Sequence, residues 1–178
     1  FAEEWPLRFR TDLDLIAPLG TGGSNAAEWF AAFTQPDGAR AGEAKSIMTR
    51  LIDHPAIGRI LPANDPFLIE AQPWLDQAAM RFYPDVHAVE GLETKIPNLM
   101  LALTLARSLL ARGQSAERFE DAMADFQRVV RLGRLLRQDD VLVYNDLVGL
   151  AVIRIGADAI YDRSRKEGRL DQALAAAV

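Results

Sequence analysis

Three groups of residues have types and spacings that suggest chemistry. The first is "GTGGSN", residues 20–25. A glycine-rich turn running into a helix presents backbone N–H groups, and such a turn attracts anions. The second is "YPDVHAVE", which gathers Asp85, His87 and Glu90, residue types that ligate zinc or iron. The third is "RVVRLGRLLRQDD", where Arg128, Arg131, Arg134 and Arg137 recur at every third position. Arginine forks bind carboxylates and phosphates through paired hydrogen bonds.

Each group has a structural reading beside the chemical one. A dinucleotide fingerprint needs a strand, G-x-G-x-x-G/A, a helix and an acidic residue about 20 positions on. Gly20 and Gly22 fit, but Asn25 fills the last position, and "DLDLIAPLG" is a poor strand with Pro18 near its end. No Lys-Ser/Thr pair closes a P-loop. Asn25 is instead a good N-cap, and Glu28 three residues later makes a capping-box-like pair. Gly22, Gly23, Ser24 and Asn25 are therefore the candidate anion site, with a structural turn as the competing expectation. Ser24 lacks the final glycine and the preceding strand of a nucleophile elbow. The chain has two histidines and no Glu-x-x-His pair, so the Asp85 to Glu90 segment is expected to be a polar loop, with no metal and no cofactor.

The arginine row drifts by about 60° per step on a helix, so it sweeps about half the circumference. Val129, Leu132, Gly133 and Leu136 hold the other half. Two expectations follow: a solvated face with ion pairs to neighbours, or a surface for an acidic partner. Under the second, Arg128, Arg131, Arg134 and Arg137 are the partner-binding residues. RNA binding would call for interleaved aromatic residues, and none lies between Arg128 and Arg137.

Composition narrows the function classes. The net charge is -5, which argues against nucleic acid. The charge is uneven: residues 1–97 hold 8 basic and 14 acidic side chains, and residues 98–178 hold 12 and 11. The absence of cysteine removes disulfides, thiolate metal sites and cysteine nucleophiles. Hydrophobic residues at 49% and charged residues at 25% are ordinary for a globular domain. The longest uncharged apolar run, Ile96 to Ala106, falls short of the roughly 20 residues of a spanning helix. The chain begins with Phe1 rather than Met, so a processed form or an anchor ahead of it is left open, as is a cytoplasmic or periplasmic location.

The elements that must position these residues read as helices. Ala26, Trp29, Phe30 and Phe33 share one face of a helix starting at Asn25. Pro36 to Gly38 reads as a turn. A second helix carries Ala44, Ile47, Met48, Leu51 and Ile52 and stops at Pro55, with a short helix from Pro55 to Ile60. Asp65 and Pro66 open another, broken or restarted at Pro73. Longer helices follow: Thr94 to Arg112, stopped by Gly113; Ala116 to Arg137, capped by Ser115; and one capped by Asp139 or Asp140 that reaches Lys166 and ends at Gly168. A final short helix holds Leu170, Ala173 and Leu174. "IPNLMLALTLA" and "VLVYNDLVGLAVIRIGADAIY" are apolar almost all round, so each is covered by its own domain or by a partner. Arg154 and Asp158, four apart in the second of these, read as a partly buried ion pair that sets packing register.

"GRLDQAL", Gly168 to Leu174, resembles the junction inside a tetratricopeptide repeat, where a small residue follows Gly by five positions, as Ala173 does here. At the other junction Gly113 and Ala122 are nine apart, and the two glycines are 55 apart where that repeat has 34. The resemblance covers at most Thr94 to Val178 and implies stacked helical hairpins that bind proteins or peptides.

The expectation is one all-α domain over 1–178: an irregular arm over 1–24, short helices and loops over 25–93, and an antiparallel helical-hairpin core over 94–178. Its expected role is non-enzymatic, a protein-interaction or scaffold domain or a subunit of a larger assembly, working with a protein partner or as a homo-oligomer. The alternative is a small-molecule or anion-binding protein, or an enzyme, built on the Gly20 to Asn25 and Asp85 to Glu90 loops.

Overall fold

A computed structural model of the chain describes Leu19 and residues 22–35, 38–81, 99–138 and 143–169. In chain order the elements are β1 (Gly22–Asn25), α1 (Ala26–Thr34), α2 (Ala41–Thr49), β2 (Ile52–His54), β3 (Gly58–Ile60), α3 (Pro66–Leu75), β4 (Gln77–Ala79), α4 (Met100–Ser115), α5 (Phe119–Leu136) and α6 (Val143–Lys166). The described residues form a mostly helical bundle with two small two-stranded sheets.

The helix starts follow local chemistry. Asn25 caps α1 by accepting from the Ala27 N–H at 3.1 Å. Asp65 caps α3 by accepting from the Phe67 N–H at 2.9 Å, with Pro66 at the first helical position. Pro73 lies inside α3, which runs on for two more residues before ending at Leu75. At the far end of α6, Gly168 takes φ 65, and the Arg169 and Gly168 N–H groups reach the Ser164 and Arg165 carbonyls. That pattern is a Schellman closure, which needs a residue free to adopt positive φ.

The core is continuous along the bundle. Phe30 from α1, Leu68 from α3, Leu105 and Leu109 from α4, Leu132 and Leu136 from α5 and Val152 from α6 are all fully buried. A satellite cluster of Ala122, Phe126, Val130, Ile153 and Ile160 closes the other end of the α5–α6 pair. Helices α5 and α6 run antiparallel: Arg137 at the end of α5 pairs with Asp146 near the start of α6, and Arg163 near the end of α6 reaches the Glu117 carbonyl ahead of α5. Their axes approach closely because glycines face each other. A Cβ on Gly133 would lie 2.6 Å from the Gly149 carbonyl oxygen, and one on Gly156 would lie 2.8 Å from Val130 Cγ2.

Several expectations need correction. The fold is not purely helical, because four short strands are present among the described residues. Ile52 and His54 lie in β2, not on a helix, and Gly58 to Ile60 form β3 rather than part of a short helix. Gly58 at φ 84 turns the chain so that His54 meets Gly58 and Ile52 meets Ile60. Strands of three residues are too short to show an alternating pattern. Gly113 does not stop α4, which continues to Ser115; it sits where a Cβ would come within 2.6 Å of the Phe126 ring. Ser115 donates to the Ala111 carbonyl at 3.0 Å, and α5 starts three residues later than expected, after Arg118. The apolar helix α4 is covered by its own domain, with Leu101, Ala102, Leu105, Ala106 and Leu109 buried. Of the irregular arm expected over 1–24, Gly22 to Ser24 lie in β1; its residues 1–18, 20 and 21, the caps at Asp139 and Asp140 and the last helix at Leu170 to Leu174 lie outside the described residues.

Candidate functional site

The arginine row lies on α5 and is largely committed to the fold. Arg128 Nη1 donates to Asp125 Oδ1 at 3.0 Å, and the same carboxylate takes Arg112 Nε and Nη2 from α4, each at 2.7 Å. Asp125 is 5% exposed, so two half-buried arginines cradle a buried carboxylate. The carboxylate in turn holds Arg112 above its ordinary pKa through those hydrogen bonds. Arg131 Nη1 reaches Asp76, just after α3, at 2.8 Å, and Arg137 Nε reaches Asp146 on α6 at 2.6 Å. Arg134 is half-buried. The row thus ties α5 to the elements around it.

Gly22 to Asn25 form β1, not a loop, and pair in parallel with β4, Gly22 opposite Gln77 and Asn25 opposite Ala79. Part of its hydrogen-bonding capacity is already in use. The Ser24 N–H donates to Gln77 Oε1 at 3.2 Å. Asn25 works with both ends of its amide: Oδ1 accepts from Ala27 N–H and from Arg81 N–H at 2.9 Å, and Nδ2 donates to the Arg81 carbonyl at 2.8 Å. The helix cap therefore also fastens the chain after β4. The Gly20 start of the loop and the Asp85, His87 and Glu90 segment lie outside the described residues. Among the described residues no three His, Cys, Asp or Glu side chains are grouped to hold a metal ion.

A cleft of about 300 Å³ between α1, α2 and α3 was not anticipated from sequence. Arg40 lines it, 4.1 Å above the Phe33 ring. Its Nη2 donates to Glu43 at 2.7 Å and to Glu70 at 3.0 Å, its Nε donates to Glu43 at 2.9 Å, and its Nη1 also meets Glu70. Trp29 Nε1 donates to Glu70 Oε1 at 2.9 Å, and the indole stacks on Phe67 and Trp74 at 5.4 and 6.0 Å. Hydrogen bonds from Arg40 hold both Glu43 and Glu70 below the ordinary carboxylate range. Neither is set up as a proton donor near neutral pH, which general acid catalysis requires. Arg50 closes the cleft by a two-point pair with the buried Asp65, at 2.7 and 2.9 Å. The signals were present as Arg40 three residues before Glu43 and Asp65 five before Glu70, but nothing local says that α2 and α3 meet.

The most unusual surface is the outer side of α6. Val148, Val152, Ile153 and Ile160 are buried against the bundle. On the opposite side Tyr144, Leu147, Leu150 and Tyr161 are exposed at 50%, 60%, 39% and 52%. Arg154 and Asp158 lie in the same stripe. Contrary to the expected partly buried pair, their side chains are 84% and 72% exposed and their charged atoms 3.9 Å apart. One half of this helix is thus covered by its own domain, and its other half is left bare. Among the described residues, no helix is long and apolar enough to cross a membrane. Compared with models of known families, with curated proteins and with solved structures, the chain matches none.

Proposed function

We propose that the chain is a non-enzymatic protein-interaction domain and that the outer face of α6 is its docking surface. The carrying observation is that Tyr144, Leu147 and Leu150 stay exposed within two turns of one helix whose other face is fully packed. A cluster of large apolar side chains in water is unfavourable by about 25 cal/mol per Å² relative to burial, and such clusters mark interaction sites. The packing of α4, α5 and α6 and the tetratricopeptide-like junction at Gly168 support the same reading. The α5 arginines are weaker candidates, because an outside carboxylate would compete with Asp125, Asp76 and Asp146. An anion or small-molecule site at Gly22 to Asn25 draws less support, since the Ser24 and Ala27 N–H groups already donate within the chain.

The test is a photo-crosslinking side chain placed at position 147 in the source cell, with the same probe at Lys45 on α2 as the control. A discrete adduct is expected from position 147 alone, and it disappears when Leu150→Glu is added. Equal labelling from both positions, or none from 147, overturns the reading.

A further inference from the structure

We propose that the outer face of α6 pairs with a second copy of this chain. The two α6 helices lie antiparallel about a two-fold axis, and Arg154 of each copy meets Asp158 of the other. The proposal rests on the reading above that α6 carries the docking surface, and it names the occupant.

Most of the exposed positions of α6 fall on one seam. Tyr144, Leu147, Ala151, Arg154, Asp158 and Tyr161 alternate steps of three and four, and all are exposed. Arg165 extends the series by one further step of four. That is the a/d spacing of a helix that packs lengthwise on another helix. The seam from Tyr144 to Arg165 is about 32 Å long at about 1.5 Å per residue.

Charge order along the seam selects the partner. A two-fold interface must be complementary to itself, with each surface facing its own copy. Place the axis midway between Arg154 and Asp158 on an antiparallel pair. Arg154 then faces Asp158, and Asp158 faces Arg154, so two opposite-charge contacts form at the centre. On either side the small Ala151 faces the large Tyr161, so volume is matched as well. Further out Leu147 meets the aliphatic stem of Arg165. A parallel two-fold pair would set Arg154 on Arg154 and Asp158 on Asp158, which repel. Within one chain this pair is separated by 3.9 Å and mostly exposed, so little intramolecular bonding has to be given up.

The test is sedimentation of the purified chain from about 1 μM to about 1 mM, the range where weak homodimers dissociate. The unmodified chain is expected to show a monomer–dimer equilibrium. Arg154→Asp alone makes the seam centre wholly acidic, and Asp158→Arg alone makes it wholly basic. Each is expected to weaken self-association at least about tenfold, as like charges brought face to face do. Mixed in equal amounts the two variants are expected to form a one-to-one heterodimer, and the double reversal is expected to restore self-association. Both positions are exposed, so circular dichroism of each variant should match the unmodified chain.

A chain that stays monomeric over the whole range overturns the proposal. So does a dimer indifferent to the single reversals, or variants that fail to associate when mixed. Failure here is separable from failure of the docking reading: a crosslink from position 147 to a different protein, beside monomeric sedimentation, removes the second copy and keeps the surface.

Discussion

Gly133→Ala should destabilise the fold, although alanine is the better helix former. In the interior of α5 the exchange alone would gain about 1 kcal/mol of helix propensity. Neither Gly133 nor its facing glycines have positive φ, so backbone conformation does not oppose it. Sterics do. The new Cβ would lie 2.6 Å from the Gly149 carbonyl oxygen, 2.7 Å from Ile153 Cγ1 and 2.8 Å from the Ile153 nitrogen. Two of these are backbone atoms of α6, which no rotamer change can move. Ordinary contact begins at 3.4 Å, so the helices must part by 3.4 - 2.6 = 0.8 Å at this crossing. That parting loosens Val129, Leu132, Val152 and Ile153, all buried along the same seam. Overpacking of this kind costs about 1–3 kcal/mol and the lost contacts add to it. A net loss of about 1–3 kcal/mol is expected, or about 2–12 °C in Tm for a chain of this size.

The assay is thermal and urea unfolding followed by circular dichroism, with Gly42→Ala measured beside it. Gly42 is in α2 with nothing within 4 Å of its added Cβ, and it should gain up to about 1 kcal/mol. The same substitution thus has opposite signs at two helical sites. A Gly133→Ala variant as stable as the unmodified chain would refute the claim that glycine sets the α5–α6 spacing.

Three further outcomes are expected. Asp65→Asn keeps the α3 cap, since Asn caps as well as Asp, but loses the ion pair with Arg50. The Arg50 hydrogen bonds hold the Asp65 pKa below its ordinary 3.8, so the stability they give is full above that value and is lost as pH falls through the lower folded value. The variant should therefore be less stable at pH 7 and converge on the unmodified chain in acid titration of unfolding; parallel curves would refute the assignment. Arg112→Leu strips two hydrogen bonds from the buried Asp125 and leaves only Arg128, so urea unfolding should show a loss of about 2–4 kcal/mol. Gly168→Val forces a β-branched residue to φ 65 at the end of α6 and should cost about 1–2 kcal/mol in thermal unfolding.

Sequence by itself determined whatever depends on near neighbours along the chain. The Asn25 and Asp65 caps, the buried face of Trp29, Phe30 and Phe33, the Gly168 stop and the helical character of α4, α5 and α6 all follow from periodicity and capping within one or two turns. The arginine row was also legible as a row. Its partners were not: Asp76 is 55 residues from Arg131, and its side chain becomes a partner only after α3 packs on α5. Gly113 read locally as a helix stop and Gly133 as one position of an apolar half-circumference, but tertiary structure makes both contact points, because Phe126 and α6 occupy the space a side chain would need. The same holds for α6. Its apolar circumference was visible in the residues, but only packing decides which half is covered. Burial is a property of the assembled bundle, so Val148 and Val152 go inside and Leu147 and Leu150 remain in water.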